Sequence, residues 1–287
     1  MAGALGEATT LAKETVTRWT EDKSSTLAAA LAYYSLFSLA PLVLIAVAVA
    51  GLVFGQQAAE GQLYAQLAGL LGDVTAKALQ ELVANLHQEQ GGGVIATIVG
   101  LATLLFGATG VFAQLQDSMN TIWKAKPPIT NGILDFLRVR LLSFSMVLGV
   151  GFLLLVSLVL SALLAAVGDY LGGFLPGGVA VTHALNAMVS LVVVTLLFAM
   201  IYKLLPDTYV AWRDVWLGAL VTSLLFTVGK FAIGFYLGKA SVASSYGAAG
   251  SVVILMLWVY YSALILYFGA EFTHVYSMRH GSRRAAT

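Results

Sequence analysis

Lys230 and Glu271 are the two residues of firm charge that break into the long apolar stretches making up most of this chain. Ionisable groups inside such stretches are costly in hydrocarbon and mark substrate paths, ion paths or gates. A lysine there can meet an anionic group such as a phosphate or carboxylate; a glutamate can gate or couple to an ion. Gln114, Asp117 and Asn120 stand at i, i+3 and i+6, so they progress along one side of a helix. Tyr34 and Ser38 are four apart and share a face just before Pro41, whose missing N–H and ring clash kink a helix. A kink beside a polar face suits a helix that lines a polar cavity. His183, Asn186 and Tyr246 complete the set of candidate pathway or gate residues. Each has a plainer reading. Lys230 can snorkel to the interface, Glu271 can be a salt-bridged anchor, and Tyr34 and Ser38 can simply bond neighbouring helices. Both sets of readings stay open on sequence alone.

The elements that must position these groups are six apolar runs, 24–59, 90–116, 141–168, 170–202, 215–238 and 240–272, otherwise without Asp, Glu, Lys or Arg. A hydrocarbon core about 30 Å thick needs an apolar helix of about 20 residues, so each run is long enough to span. Hydrophobic residues are 59% of the 287 and charged residues 10%, against a usual charged share of about 25%. The sequence therefore predicts an all-α integral membrane protein with six transmembrane helices. With the N-terminus inside, that side receives Lys13, Arg18, Lys23, Lys124, Lys126, Arg138, Arg140, Lys203, Arg213, Arg279, Arg283 and Arg284. Those are twelve of the 15 Lys and Arg; Lys77 and Lys239 fall outside and Lys230 within a span. Cytoplasmic loops carry the basic excess, which predicts both termini inside.

This topology gives depths. Lys230 lies roughly 22 Å into span 5, and Glu271 only about 3 Å from the inner end of span 6, so the two should not pair. His183 and Asn186, roughly 6–10 Å in from the outer end of span 4, share the level of Lys230. Glu271 shares the level of Gln114, Asp117 and Asn120, with Arg138, Arg140 and Arg213 as available counter-ions.

Shorter segments flank the spans. Residues 1–23 predict a cytoplasmic interfacial helix, Leu5, Ala8, Ala12, Val16 and Trp19 forming its apolar line. Packing of this segment on the bundle is the alternative. The acidic and basic residues spread through it do not resemble a cleavable signal peptide. Within 24–276, the extracytoplasmic insert 56–90 shows two helical repeats, Leu63, Leu67, Leu70, Val74 and then Leu79, Leu82, Val83, Leu86, separated at Gly72 and Asp73. Two short amphipathic helices are expected there, either covering the bundle mouth or extending the spans. Residues 277–287 form a basic tail whose arginines either meet anionic headgroups or obey the inside rule. Gly234 and Gly238 make a GxxxG, and Ala219 and Ser223 repeat its small-residue spacing, which lets helices approach and offers a homo-oligomer contact.

The stretches AAALAYYSLFSLAPLVLI (28–45), LQDSMNTIW (115–123), YKLLPD (202–207), WRDVWLGAL (212–220) and SYGAAGSVVILMLWVYYSALILYFGAEF (245–272) together resemble the YihY/BrkB family of bacterial inner-membrane proteins, once labelled ribonuclease BN. The resemblance implies a six-helix membrane protein with a poorly defined activity, for which transport of lipid-like or other envelope molecules is the expectation. Its motifs fall here on Tyr34, Ser38, Pro41, Asp117, Asn120, Pro206, Asp207, Tyr246, Gly247 and Glu271. The old nuclease label fits the chemistry poorly. Hydrolysis of a phosphodiester wants clustered metal ligands and a basic groove. The four histidines, His87, His183, His274 and His280, are divided by the topology between the two sides.

The expectation is thus a transporter or flippase-like protein of the inner membrane, with a cavity among spans 1, 2, 5 and 6. Its partners would be membrane lipids and a lipid or organic-anion substrate; nucleic acid, cofactors and enzymatic activity are not expected. The alternative is a non-transporting scaffold or regulator of other membrane proteins. With no cysteine, the chain has no disulfide and no thiolate metal site.

Overall fold

The computed structural model describes residues 2–36, 64, 68, 73–89, 110–125, 178–239 and 250–283. Every regular element among them is a helix: α1 (Ala2–Glu21), α2 (24–36), α3 (Asp73–Glu89), α4 (110–122), α5 (Gly178–Leu204), α6 (Trp212–Lys239) and α7 (Gly250–Arg279). Three of the described helices are long and apolar enough to cross a membrane: Ala184–Leu204 within α5, Trp212–Leu237 within α6, and α7 over its full length, with mean hydropathies of 2.4, 1.7 and 2.1. The shortest, 21 residues, is about 31 Å long at 1.5 Å per residue, close to the hydrocarbon thickness. Their outward faces carry Met188, Val192, Val228, Phe231 and Phe235, each more than half exposed. Water would penalise so wide an apolar surface, whereas lipid tails accept it.

Helix α7 is the hub, packing against α6, α3 and α1, while α5 packs on α6. The α6–α7 contact is set by two reciprocal Gly/Thr steps. A Cβ at Gly218 would overlap the Thr273 hydroxyl, and one at Gly269 would overlap the Thr222 and Tyr202 hydroxyls. Each threonine donates back into its own helix, Thr222 to the Gly218 carbonyl at 2.7 Å and Thr273 to the Gly269 carbonyl at 2.6 Å. Neither hydroxyl is left orphaned in the apolar interior, and the backbones come close, as small residues in membrane helices permit. Tyr202 ties α5 in, its hydroxyl donating to the Leu266 carbonyl at 2.8 Å. Thr195 and Ser223 bond across α5 and α6 at 2.8 Å, where Ala219 and Ser223 are both buried. A Cβ at Gly234, by contrast, would meet nothing, so this half of the GxxxG faces away from the described helices.

Sequence and structure differ in where elements end. The last apolar run stops at 272, yet α7 continues to Arg279 because helical hydrogen bonding does not need apolar side chains beyond the lipid. Its end is marked by the Gly281 N–H bonding the Tyr276 carbonyl at 3.1 Å. Helix α3 begins at Asp73, where the break was expected, with that carboxylate favourably placed in the first turn. It buries Thr75, Ala76, Ala78 and Leu79. The preceding amphipathic segment and most of spans 1 to 3 lie outside the described residues.

Candidate functional site

Two chain corners converge at one end of α7. The α1–α2 corner turns at Lys23 and α4 ends at Lys124, both with a φ of 51°. A side-chain-bearing residue in this left-handed region costs about 1–2 kcal/mol. At Lys124 the strain closes a Schellman-type cap, with the Ala125 N–H bonding the Asn120 carbonyl at 2.9 Å. At Lys23 it delivers the carbonyl that accepts the first bonds of α2, from Thr26 at 2.8 Å and Leu27 at 3.2 Å. These corners place Asp22 and Ser24 from one side, and Trp123 and Lys124 from another, against Glu271 and His274 of α7.

Glu271 is fully buried. The Ser24 hydroxyl approaches its Oε1 at 3.5 Å, a long contact, and Oε2 has no hydrogen-bond partner among the described residues. The charged groups around it are Asp22, Lys124 and Arg18. Asp22 is ion-paired through Oδ1 to Lys124; its side chain is only 8% exposed and its Oδ2 has no partner. His274, one turn on from Glu271, is 4% exposed, stacks at 5.2 Å on the Trp123 ring, and has an unpartnered Nδ1. The indole N–H of Trp123 is also buried and unmatched. Buried polar atoms are usually satisfied, so four such atoms at one junction ask for an explanation.

A second polar knot lies beside the first. Asp207, in the α5–α6 hairpin, accepts from Asn120 Nδ2 at 2.9 Å and Gln116 Nε2 at 3.0 Å through Oδ2, and its N–H donates to Asn120 Oδ1 at 2.8 Å. The tail after α7 closes over this hairpin. Arg283 donates to Thr208 Oγ1 at 2.8 Å and the Tyr209 carbonyl at 2.9 Å, with its guanidinium 5.2 Å from the Trp123 ring centre. Partial burial pulls the Arg283 guanidinium below its usual pKa while the Asp214 charge opposes that shift. Asp214, itself fully buried, accepts from the Ser282 N–H at 3.0 Å and hydroxyl at 2.7 Å. Arg279 pairs with Glu14 of α1, and His280 with Glu7. Arg279, His280 and Arg283 therefore each engage protein groups.

The sequence-selected residues divide accordingly. Glu271 and Asn120 lie in these knots. Gln114 donates to the Ser118 hydroxyl at 3.2 Å, and Asp117 points outward. Tyr34 is 41% exposed, edge-on to Tyr33, with its ring against Gly110, where an added Cβ would come within 2.9 Å. That contact joins α2 to α4. Lys230 is half-buried, with its Nζ 5.4 Å from the Phe231 ring centre. Its neighbour Gly229 abuts Tyr261 and Ile265, so it sits about ten residues along α7 from Glu271, roughly 15 Å. Asn186 is exposed on α5. Ser38, Pro41 and Tyr246 lie outside the described residues, as do the His183 side chain, Arg138 and Arg140. The expected counter-ion Arg213 instead donates to the His280 carbonyl at 3.3 Å; Arg18 and Lys124 are the cations at Glu271.

Sequence reasoning missed Asp22, Ser24, Trp123, His274 and Asp214. His274 was findable as the i+3 neighbour of Glu271 on one helix face. Asp22 looked like an ordinary charge before an apolar run, and only the corner at Lys23 turns it inward.

Apolar helices of membrane-spanning length, packed through small residues and closed at one end by a buried polar junction, define an integral membrane protein. The chain belongs to the virulence factor BrkB family, whose model matches residues 15–287. It is 30% identical over 257 residues to the UPF0761 membrane protein RSc1559 of Ralstonia nicotianae, covering 87% of this chain and 55% of that protein. It is 29% identical over 263 residues to the UPF0761 membrane protein MS0032 of Mannheimia succiniciproducens, covering 90% and 86%. A Cronobacter sakazakii UPF0761 membrane protein is 30% identical over 269 residues, covering 88% and 83%. The chain spans only 55% of the Ralstonia relative and 56% of a Tolumonas auensis one. No solved structure matches the chain.

Proposed function

We propose that this chain is a transporter or flippase-like protein for a lipid or other amphipathic, anionic envelope molecule, in the bacterial inner membrane with both termini cytoplasmic. The observation that carries the reading is the fully buried Glu271, with one oxygen unmatched, in a helix of membrane-spanning length. A bundle that only needed to be stable would gain by replacing such a group with an apolar one. The pathway runs among α2, α4, α6 and α7, which share one core through Ala28, Met119, Ala219 and Tyr267. Arg18 and Lys124 stand at its inner mouth for an anionic headgroup, Glu271 and Asp117 gate it, and Lys230 meets the anionic group in the outer half. No hydrolytic step is assigned. Among the described residues no three His, Asp or Glu could hold a metal ion.

The outward face of α6, where Gly234 opens onto free space, favours a second reading, a scaffold that binds other membrane proteins or a further copy. Purified protein in liposomes separates the two. Movement of fluorescent phospholipid or organic-anion analogues above protein-free vesicles, lost in Glu271→Gln, is expected for a transporter. If none of these is bound or moved, the reading falls and partner capture at fixed stoichiometry becomes the alternative.

A further inference from the structure

Glu271 and Asp22 come from elements 249 residues apart in the chain, and the α1–α2 corner brings them together: Ser24, two residues on from Asp22, reaches Glu271 Oε1 at 3.5 Å, and Asp22 is among the charged groups around Glu271. Glu271 is 0% exposed and the Asp22 side chain 8%. One oxygen of each is buried without a partner, Oε2 of Glu271 and Oδ2 of Asp22. The pattern has a simple chemical cause. Two ionised carboxylates only accept, so facing oxygens cannot bond each other. One proton between them changes this: one carboxyl becomes a donor, the other stays an acceptor, and both orphans are satisfied at once.

We propose that Asp22 and Glu271 form a proton-binding site, one proton shared between two carboxyls, that latches the α1–α2 corner onto α7. In the bound state an O–H of one acid donates to the free oxygen of the other. Loss of the proton leaves two carboxylates facing each other and drives the corner away from α7. The surroundings set the balance. Lys124 already holds Asp22 Oδ1, and Arg18 of α1, the other cation near Glu271, is shared with Glu14 at 3.9 Å, so the two carboxylates together are only partly compensated. From α7 itself His274 faces the junction against the Trp123 ring. From the tail Arg283 reaches the other side of the junction, its guanidinium 5.2 Å from the Trp123 ring centre and bonded to Thr208 and the Tyr209 carbonyl, with the Asp214 charge of α6 acting on it. Ser24 contributes only its long contact to Oε1. The site deepens the transport reading by naming the proton as the ion that works the inner gate, and it rests on that reading only for its purpose.

The test is infrared spectroscopy of the purified protein in a detergent without ester groups, titrated from acid to alkaline pH. The expected result is a protonated-carboxyl C=O band that persists at neutral pH and disappears on alkalinisation with release of one proton per chain. Glu271→Gln should abolish that titration, and Asp22→Asn should displace it to lower pH, because an amide N–H then stands permanently where the shared proton was. Thermal melting gives a second readout, and either variant alone suffices if the other fails to fold. Wild type should lose stability as pH rises through the titration, and the amide variants should not. A wild type without the band, or a band unchanged in both variants, overturns the proposal. The liposome assay fails independently: a titrating band without solute movement sinks the transport reading and leaves the proton site standing, and movement without the band does the reverse.

Discussion

Gly218 and Gly269 show how single atoms decide this fold. Each sits where a methyl group would overlap a hydroxyl of the facing helix, so the α6–α7 crossing exists only because two hydrogens stand where side chains could be. Gly269→Val should therefore destabilise the protein by more than the about 1–3 kcal/mol typical of an overpacked core, read as a lower melting temperature in detergent. Gly234→Ala, whose Cβ meets open space, should leave that temperature unchanged for the monomer. Asp117 offers a charge-based check. It lies one residue beyond the apolar run 90–116 and is mostly exposed; the desolvation it does suffer, with the Asp207 charge added, raises its pKa. A raised carboxyl pKa means the ionised form weakens the fold, so this loss grows as pH rises through the folded pKa. Asp117→Asn should raise the melting temperature at neutral pH and have no effect in acid. These residues were only partly legible. The Gln114–Asp117–Asn120 spacing announced a polar face on α4, but not that Asn120 would turn inward to Asp207, since 87 residues of chain separate them.

At the scale of elements, α7 and its tail hold the end of the bundle together through contacts of unequal weight. Arg279 pairs with Glu14 at side-chain exposures of 42% and 29%, where solvent screens the charges. Such pairs contribute about 0–1 kcal/mol, so Arg279→Ala should barely shift the melting temperature. Asp214 is different. It is fully buried, receives two hydrogen bonds from Ser282, and is crowded so closely by Gly281 that no other residue fits there. Asp214→Ala removes two bonds to a charged acceptor and frees the tail, costing about 2–3 kcal/mol. Proteolysis within residues 280–283 should accelerate in that variant and not in Arg279→Ala. Hydropathy located α5, α6 and α7 because length and apolar content are what a bilayer selects. It could not locate the end of α7, which the Gly281 turn sets, and although it predicted the helix at 1–23, the alanine-rich face of α1 gave too weak an apolar stripe to separate lipid docking from packing on α7. The structure packs α1 on α7, with its acids meeting the tail's basic groups.

For the whole molecule, the corner at Lys23, the end of α4, the α5–α6 hairpin and the tail all meet at one end of α7, so both described termini lie together. Lys13, Arg18, Lys23, Lys124, Lys203, Arg213, Arg279 and Arg283 belong to the elements that meet at that end, and the basic-inside tendency predicts that it faces the cytoplasm. The chain has no cysteine, so single reporters can be placed without first removing any. Ser282→Cys marks the tail and Lys77→Cys marks α3; both positions are exposed. Because Ser282 bonds Asp214, Gly6→Cys, on exposed α1 with nothing near its Cβ, provides a second reporter for the same end. In intact spheroplasts a membrane-impermeant maleimide should label Lys77→Cys and leave Ser282→Cys and Gly6→Cys unlabelled. All should react once the membrane is dissolved. Labelling of the two end reporters before solubilisation, with Lys77→Cys protected, would invert the bundle. Arg18, Lys124 and the Asp22–Glu271 pair would then face outward, and any gate they form would answer to the pH outside the cell instead of that within.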